Sequence, residues 1–122
     1  MPMARTRRGR LRQLEHWLSD QFPTPRSTYV RVCDLKRSKG GPFGDCNRDG
    51  SRLQIRVHSK LTWYVAADTL FEEWAHAMTW PLACAEARTE PHDEAWGIAY
   101  AKIRNAFHDR GGYLTSRNYP ED

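Results

Sequence analysis

The chain is short of several things at once. It has 3 cysteines, Cys33, Cys46 and Cys84, and no C-x-x-C pair. That spacing argues against a zinc ribbon or a redox dithiol, and an odd count fits reduced thiols in small buried or half-buried positions. No apolar run approaches the roughly 18 residues of a membrane span, so no membrane partner is expected. The arginine-rich N-terminus is followed by no apolar segment of the signal-peptide kind, which makes the cytoplasm the expected compartment. No heptad seam or internal repeat is visible, and a monomer is the expectation.

Acidic residues are scarce in the first half. Residues 1–60 hold 14 Lys and Arg against 5 Asp and Glu, whereas residues 61–122 hold 5 against 10. The basic half opens with Arg5, Arg7, Arg8, Arg10 and Arg12. Such a cluster can bind phosphates with release of counterions, which makes these five residues candidate nucleic-acid contacts. It is equally the pattern of a solvated basic tail, because no aromatic residue interleaves with the arginines to stack on bases. Overall the chain is 39% hydrophobic and 28% charged over 122 residues, the balance of one globular domain with one core.

Periodicity divides the chain. Residues 1–8 read as a flexible basic arm, 9–112 as a single domain and 113–122 as a C-terminal tail. From Gly9 to Asp20, Leu11, Leu14 and Leu18 recur at helical spacing, and Phe22-Pro23-Thr24-Pro25 stops the helix. Ser27 to Leu35 alternates as a strand, with Val30 and Val32 on one face. Lys36 to Ser51, rich in glycine and charge, reads as a loop or an irregular hairpin connection with a turn at Asn47–Gly50. Arg52 to His58 alternates cleanly, Leu53, Ile55 and Val57 against Arg52, Gln54, Arg56 and His58. A helix is expected over Ala66–Trp80, with Asp68 as a candidate cap and Pro81 as its stop. After a connector at 81–91, a last helix begins near Asp93. Trp96, Ala99, Tyr100, Ile103 and Phe107 form its apolar stripe and Gly111-Gly112 its C-cap. The order gives an α+β domain: an N-terminal helix, a short antiparallel or mixed sheet, a central helix and a C-terminal helix.

The chemistry concentrates on the central helix. Glu72-Glu73-Trp74-Ala75-His76 differs from H-E-x-x-H in its first letter alone. Residues four apart share a helix face, so Glu72 and His76 point the same way, with Glu73 offset by one position. In H-E-x-x-H that geometry sets two ligands on one metal and lets the intervening glutamate reach the attacking water. His92, at the entrance of the next helix, is the candidate third ligand. Two imidazoles and a carboxylate can hold Zn²⁺ with an open position, and the same set occurs at non-haem iron sites. Without metal, the residues can form an ion-paired cluster. His16, His58 and His108 read as surface or hydrogen-bonded histidines.

Residues 70–80, Leu-Phe-Glu-Glu-Trp-Ala-His-Ala-Met-Thr-Trp, and 92–104, His-Asp-Glu-Ala-Trp-Gly-Ile-Ala-Tyr-Ala-Lys-Ile-Arg, resemble the SprT-like (Spartan and Wss type) zincin metallopeptidases. The likeness is to the minimal versions common in bacteriophages and prophages, which typically carry H-E-W-A-H-A and then an H-G/D-x-E-W-G helix start. The opening helix with Phe22-Pro23-x-Pro25 and the strand Leu53–Val57 are similar in kind, so the likeness spans most of residues 11–110, with specificity in the two blocks alone. The resemblance implies a small zincin-like domain, a zinc ion, and hydrolysis of peptide bonds in a protein or peptide substrate by metal-activated water. Carried over by position, His76 is the second zinc ligand, His92 the third and Glu73 the general base. Glu72 stands where the family has its first histidine. Trp74, Trp80, Trp96 and Tyr100 are framework positions, and Tyr100 is also a candidate substrate contact. An anionic ligand at position 72 would leave the metal less electron-poor and the water less acidic. The alternative expectation is therefore a catalytically inactive zincin that serves as a nucleic-acid- or protein-binding module.

Overall fold

The computed structural model describes residues 6–35, 43–80 and 94–109. They form α1 (Arg7–Gln21), β1 (Thr28–Cys33), β2 (Gly44–Asp49), β3 (Arg52–His58), α2 (Trp63–Met78) and α3 (Glu94–Asp109), an α+β arrangement. The connector 81–91, Cys84, His92, the Gly111-Gly112 cap and the tail 113–122 lie outside the described residues.

Helix α1 begins two residues before Gly9, because the Thr6 side chain accepts from the Gly9 N–H at 3.0 Å and caps the first turn. Arg7 and Arg8, expected in a flexible arm, are therefore helical. The leucine stripe is its buried face: Leu11, Leu14 and Leu18 all lie in the core. At the far end the Phe22 N–H bonds to the Leu18 carbonyl and Pro23 follows. The Trp74 indole of α2 then donates to the Phe22 carbonyl at 2.9 Å, tying the end of α1 to the central helix.

The sheet is mixed, in the order β1-β3-β2, with β1 parallel and β2 antiparallel to β3. Strand β3 has the bounds its alternation predicts. Leu53, Ile55 and Val57 are fully buried, and Val30 of β1 joins them from register with Ile55. His58 departs from the alternation. It is buried, and its Nδ1 accepts from the Leu35 N–H at 3.1 Å, so it is a hydrogen-bonded histidine.

Within the segment 36–51, expected as a loop or an irregular hairpin connection, Gly44–Asp49 is a regular strand, β2; residues 36–42 lie outside the described residues. Gly-Asp-Cys-Asn-Arg-Asp has little strand propensity of its own. It pairs because β3 offers an edge and because Gly44 permits a close approach: a Cβ there would lie 2.5 Å from the Arg56 carbonyl oxygen and 2.7 Å from Thr69 Cγ2. Asp45 also receives both the Nε and the Nη2 of Arg56 across the ladder. The turn falls at Gly50-Ser51, since Asp49 pairs with Arg52. Gly50 takes a φ of 62°, as primed hairpin turns require at their first central position.

Helix α2 starts at Trp63 rather than Ala66, with Thr62 in the cap position, so Asp68 lies in its second turn and caps nothing. Buried Trp63, Leu70, Phe71 and Trp74 make α2 the axis of the core, and burial of Leu70 and Phe71 contributes about 1.5–3 kcal/mol each. Thr79 closes the helix through its N–H to the Ala75 carbonyl. Helix α3 buries Ala99, Ile103 and Phe107, the stripe read from spacing. Phe107 meets Phe71 at 5.1 Å and Trp17 at 5.9 Å between ring centroids, so α1, α2 and α3 share one core. No described helix is long and apolar enough to cross a membrane.

Candidate functional site between α2 and α3

Along α2, Asp68, Glu72 and His76 follow one another at four-residue steps, and along α3 so do Trp96, Tyr100 and Arg104. Each series is one stripe on a helix face. The two stripes oppose each other with the helices antiparallel. At one end the Tyr100 hydroxyl donates to Asp68 Oδ1, and Arg104 Nη1 donates to the same oxygen at 3.0 Å. Arg104 Nη1 also donates to the Tyr100 hydroxyl oxygen at 2.7 Å. In the middle, Tyr100 stacks on Trp96 with centroids 5.1 Å apart and planes 7° apart. At the other end, Trp96 Nε1 donates to the Glu72 carbonyl oxygen at 3.0 Å, and its ring lies 5.5 Å from that of His76.

His76 is buried, 8% exposed, while Glu72 and Glu73 are half-buried. Of the expected ligand set, the fold thus places Glu72 and His76 one turn apart on the flank of α2 that faces α3. His92 is outside the described residues. Among the described residues there is no group of three or more His, Cys, Asp or Glu side chains that could hold a metal. The two placed donors still suit zinc in kind, a carboxylate oxygen and an imidazole nitrogen, and the indole of Trp96 supplies the apolar wall that metal sites commonly have.

Tyr100 has its hydroxyl engaged with Asp68 and Arg104, which makes it a bridge between two helices. Its pKa is pushed up to about 12, chiefly by burial and then by the hydrogen bond to Asp68. Asp68 and Arg104 carry no weight in the sequence reading as site residues. The signal for them was present, since each extends a four-residue series that contains a recognised position.

The basic cluster is divided by the fold. Arg7 turns toward the β3–α2 connection, where Nη1 donates to the Leu61 carbonyl and Nη2 to that of Ser59 at 3.1 Å. Arg10 is 2% exposed, and its guanidinium lies 5.3 Å from the centroid of the Trp63 ring. Arg8 and Arg12 are exposed and line a groove with Arg31, Glu15, Leu11, Val30 and Val32. Arg12 is paired with Glu15 at 2.8 Å. Arg5 lies outside the described residues. Arg7 and Arg10 are therefore turned inward and poorly placed to meet a phosphate, while Arg12 is exposed and paired with Glu15.

Compared with protein-family models, with curated proteins and with solved structures, the chain matches none.

Proposed function

We propose that this chain is a SprT-like, zincin-type zinc metallopeptidase domain whose ligands are Glu72, His76 and His92 and whose general base is Glu73. The observation that carries the reading is the placement of Glu72 and His76 one turn apart on α2, with the His76 ring under Trp96 of α3. His92 stands four residues before Trp96 in the sequence and lies outside the described residues, so its part in the set rests on the resemblance. When bound, the zinc supplies Lewis acidity toward a peptide carbonyl. The chain's own residues do the rest. Glu73, adjacent to the ligand pair and half-buried, accepts the proton of the attacking water and returns it to the departing amine. Trp96 excludes solvent from one side of His76.

Glu72 favours a second reading, a domain that keeps the cleft and binds without cleaving, because a carboxylate in place of an imidazole lowers the acidity the metal can confer. The test common to both is the zinc content of the purified protein and of His76→Ala after equilibration with zinc and removal of the excess. One zinc per chain, lost in the variant, is the expected result, and cleavage of an unfolded protein substrate, abolished in Glu73→Gln, then separates enzyme from binding module. No zinc in the wild-type protein overturns the metallopeptidase reading.

A further inference from the structure

We infer that Trp96 is a positioning residue for the Glu72–His76 pair, and that Tyr100, Asp68 and Arg104 form the brace that fixes Trp96. The consequence for zinc rests on the reading proposed above. The positioning itself is a property of the metal-free protein.

The argument begins at one carbonyl. In an α-helix the C=O of residue i accepts from the N–H of residue i+4, so the Glu72 carbonyl sits on the ladder bond that joins the two candidate ligand residues. That same oxygen accepts from Trp96 Nε1 at 3.0 Å. The indole therefore grips the backbone of the turn that carries both side chains. The Trp96 ring also meets the His76 ring at 5.5 Å with 33° between planes, restricting the imidazole to orientations that clear the indole.

A single hydrogen bond leaves an indole free to swing about it. Packing of Trp96 against the core limits that freedom, and the stack limits it further: Tyr100 lies parallel to Trp96, and it cannot tilt without moving its hydroxyl from Asp68 and Arg104. Asp68 is anchored in α2 and Arg104 in α3, so the brace spans the same two helices as the site. The order of effect runs from Arg104 and Asp68 to Tyr100, to Trp96, to His76. Groups hydrogen-bonded directly to metal ligands change metal affinity by about 10–100-fold when removed, and Trp96 acts on the pair one step further out, through the Glu72 backbone and the face of the His76 ring.

The test uses the full chain with ¹³C-labelled histidine, metal-free, with His76→Ala to assign the His76 ring signal. Three variants follow: Trp96→Phe, which keeps a stacked ring and loses the N–H; Tyr100→Phe, which keeps the stack and loses the hydroxyl; and Ile103→Val, which thins the core on α3 and leaves every ring and hydrogen bond of the brace in place. The expected result is a His76 ring signal displaced by the indole ring current in the wild type, moved and broadened in Trp96→Phe, broadened in Tyr100→Phe and unchanged in Ile103→Val. Zinc affinity by chelator competition then falls about tenfold or more in Trp96→Phe and stays level in Ile103→Val. A loss of thermal stability alone, with the His76 signal of all three variants like the wild type's, overturns the inference. If the wild type takes up no zinc while the His76 signal still follows Trp96 and Tyr100, the positioning stands and the metallopeptidase reading falls.

Discussion

The Glu15 carboxylate of α1 accepts the backbone N–H of Val30 in β1 at 3.0 Å. Strand β1 is an edge strand, and Val30 N–H points away from β3, where an unpaired donor would be a template for another chain. Glu15 is 7% exposed and its second oxygen accepts from Arg12 Nη1 at 2.8 Å, so one side chain satisfies that edge donor and ties α1 to the sheet.

Removing that carboxylate leaves a buried donor unsatisfied. Glu15→Ala is expected to cost about 1–3 kcal/mol in urea unfolding. Glu15→Gln keeps an acceptor of the same length and should recover much of the loss. Equal destabilisation by the two variants would show that the charge, through Arg12, matters more than the bond to Val30.

Tyr100 predicts a loss of stability in strong base. Its hydroxyl titrates near 10 in the unfolded chain and at about 12 in the folded one. Between those values the unfolded state has lost a proton that the folded state retains, so stability falls as pH rises. The contribution is complete below about pH 10 and gone once pH passes about 12. Tyr29 is raised as well, foremost by its hydrogen bond to Asp49, so the comparison of wild type with Tyr100→Phe isolates the Tyr100 share. Denaturant midpoints at pH 9 and pH 11 should converge for the two proteins as pH rises. A constant gap would contradict the prediction.

Glu72→His restores the imidazole that H-E-x-x-H has at this position. Because the turn is already gripped by Trp96, the variant is expected to bind zinc about tenfold or more tightly than the wild type by chelator competition, with peptidase activity raised in parallel. Unchanged affinity in a folded Glu72→His protein would mean that the pair is not oriented toward a common metal.

The arginines differ in their expected readouts. Arg7→Ala deprives the Leu61 and Ser59 carbonyls of a charged donor and should cost about 1.5–3 kcal/mol of stability. Arg8→Ala lies on an exposed position and should change stability little, whereas Arg12→Ala deprives the buried Glu15 carboxylate of its charged partner and should lower stability. If the basic half meets nucleic acid, these two variants lower the salt slope of DNA binding by about one each. Absence of salt-dependent DNA binding by the wild-type protein removes the nucleic-acid partner.

The helices and β3 were legible because their burial follows period. Leu11, Leu14 and Leu18, the alternation of Leu53, Ile55 and Val57, and the stripe ending at Phe107 each state a buried face in one dimension. So did the candidate pair, since residues four apart on any helix share a face. Strand β2 was not legible: Gly44 to Asp49 lacks an apolar alternation, and its pairing depends on the space beside Arg56 and Thr69. Nor was the division of the arginines, because Arg7 and Arg10 differ from Arg8 and Arg12 in what the rest of the chain brings to them.

By itself, then, the sequence determined the α+β class, the faces of the helices and the presence of Glu72, Glu73 and His76 on one helix, all of which follow from local spacing. Only the tertiary structure decided that Trp96 reaches the Glu72 carbonyl, that Tyr100 bridges to Asp68 and Arg104, and that Glu15 meets the Val30 N–H at the β1 edge. The physical reason is separation along the chain. A bond between Trp96 and Glu72 spans 24 positions, and no local preference encodes it; it forms because burying the apolar stripes of α2 and α3 against one core sets the polar stripes beside them face to face.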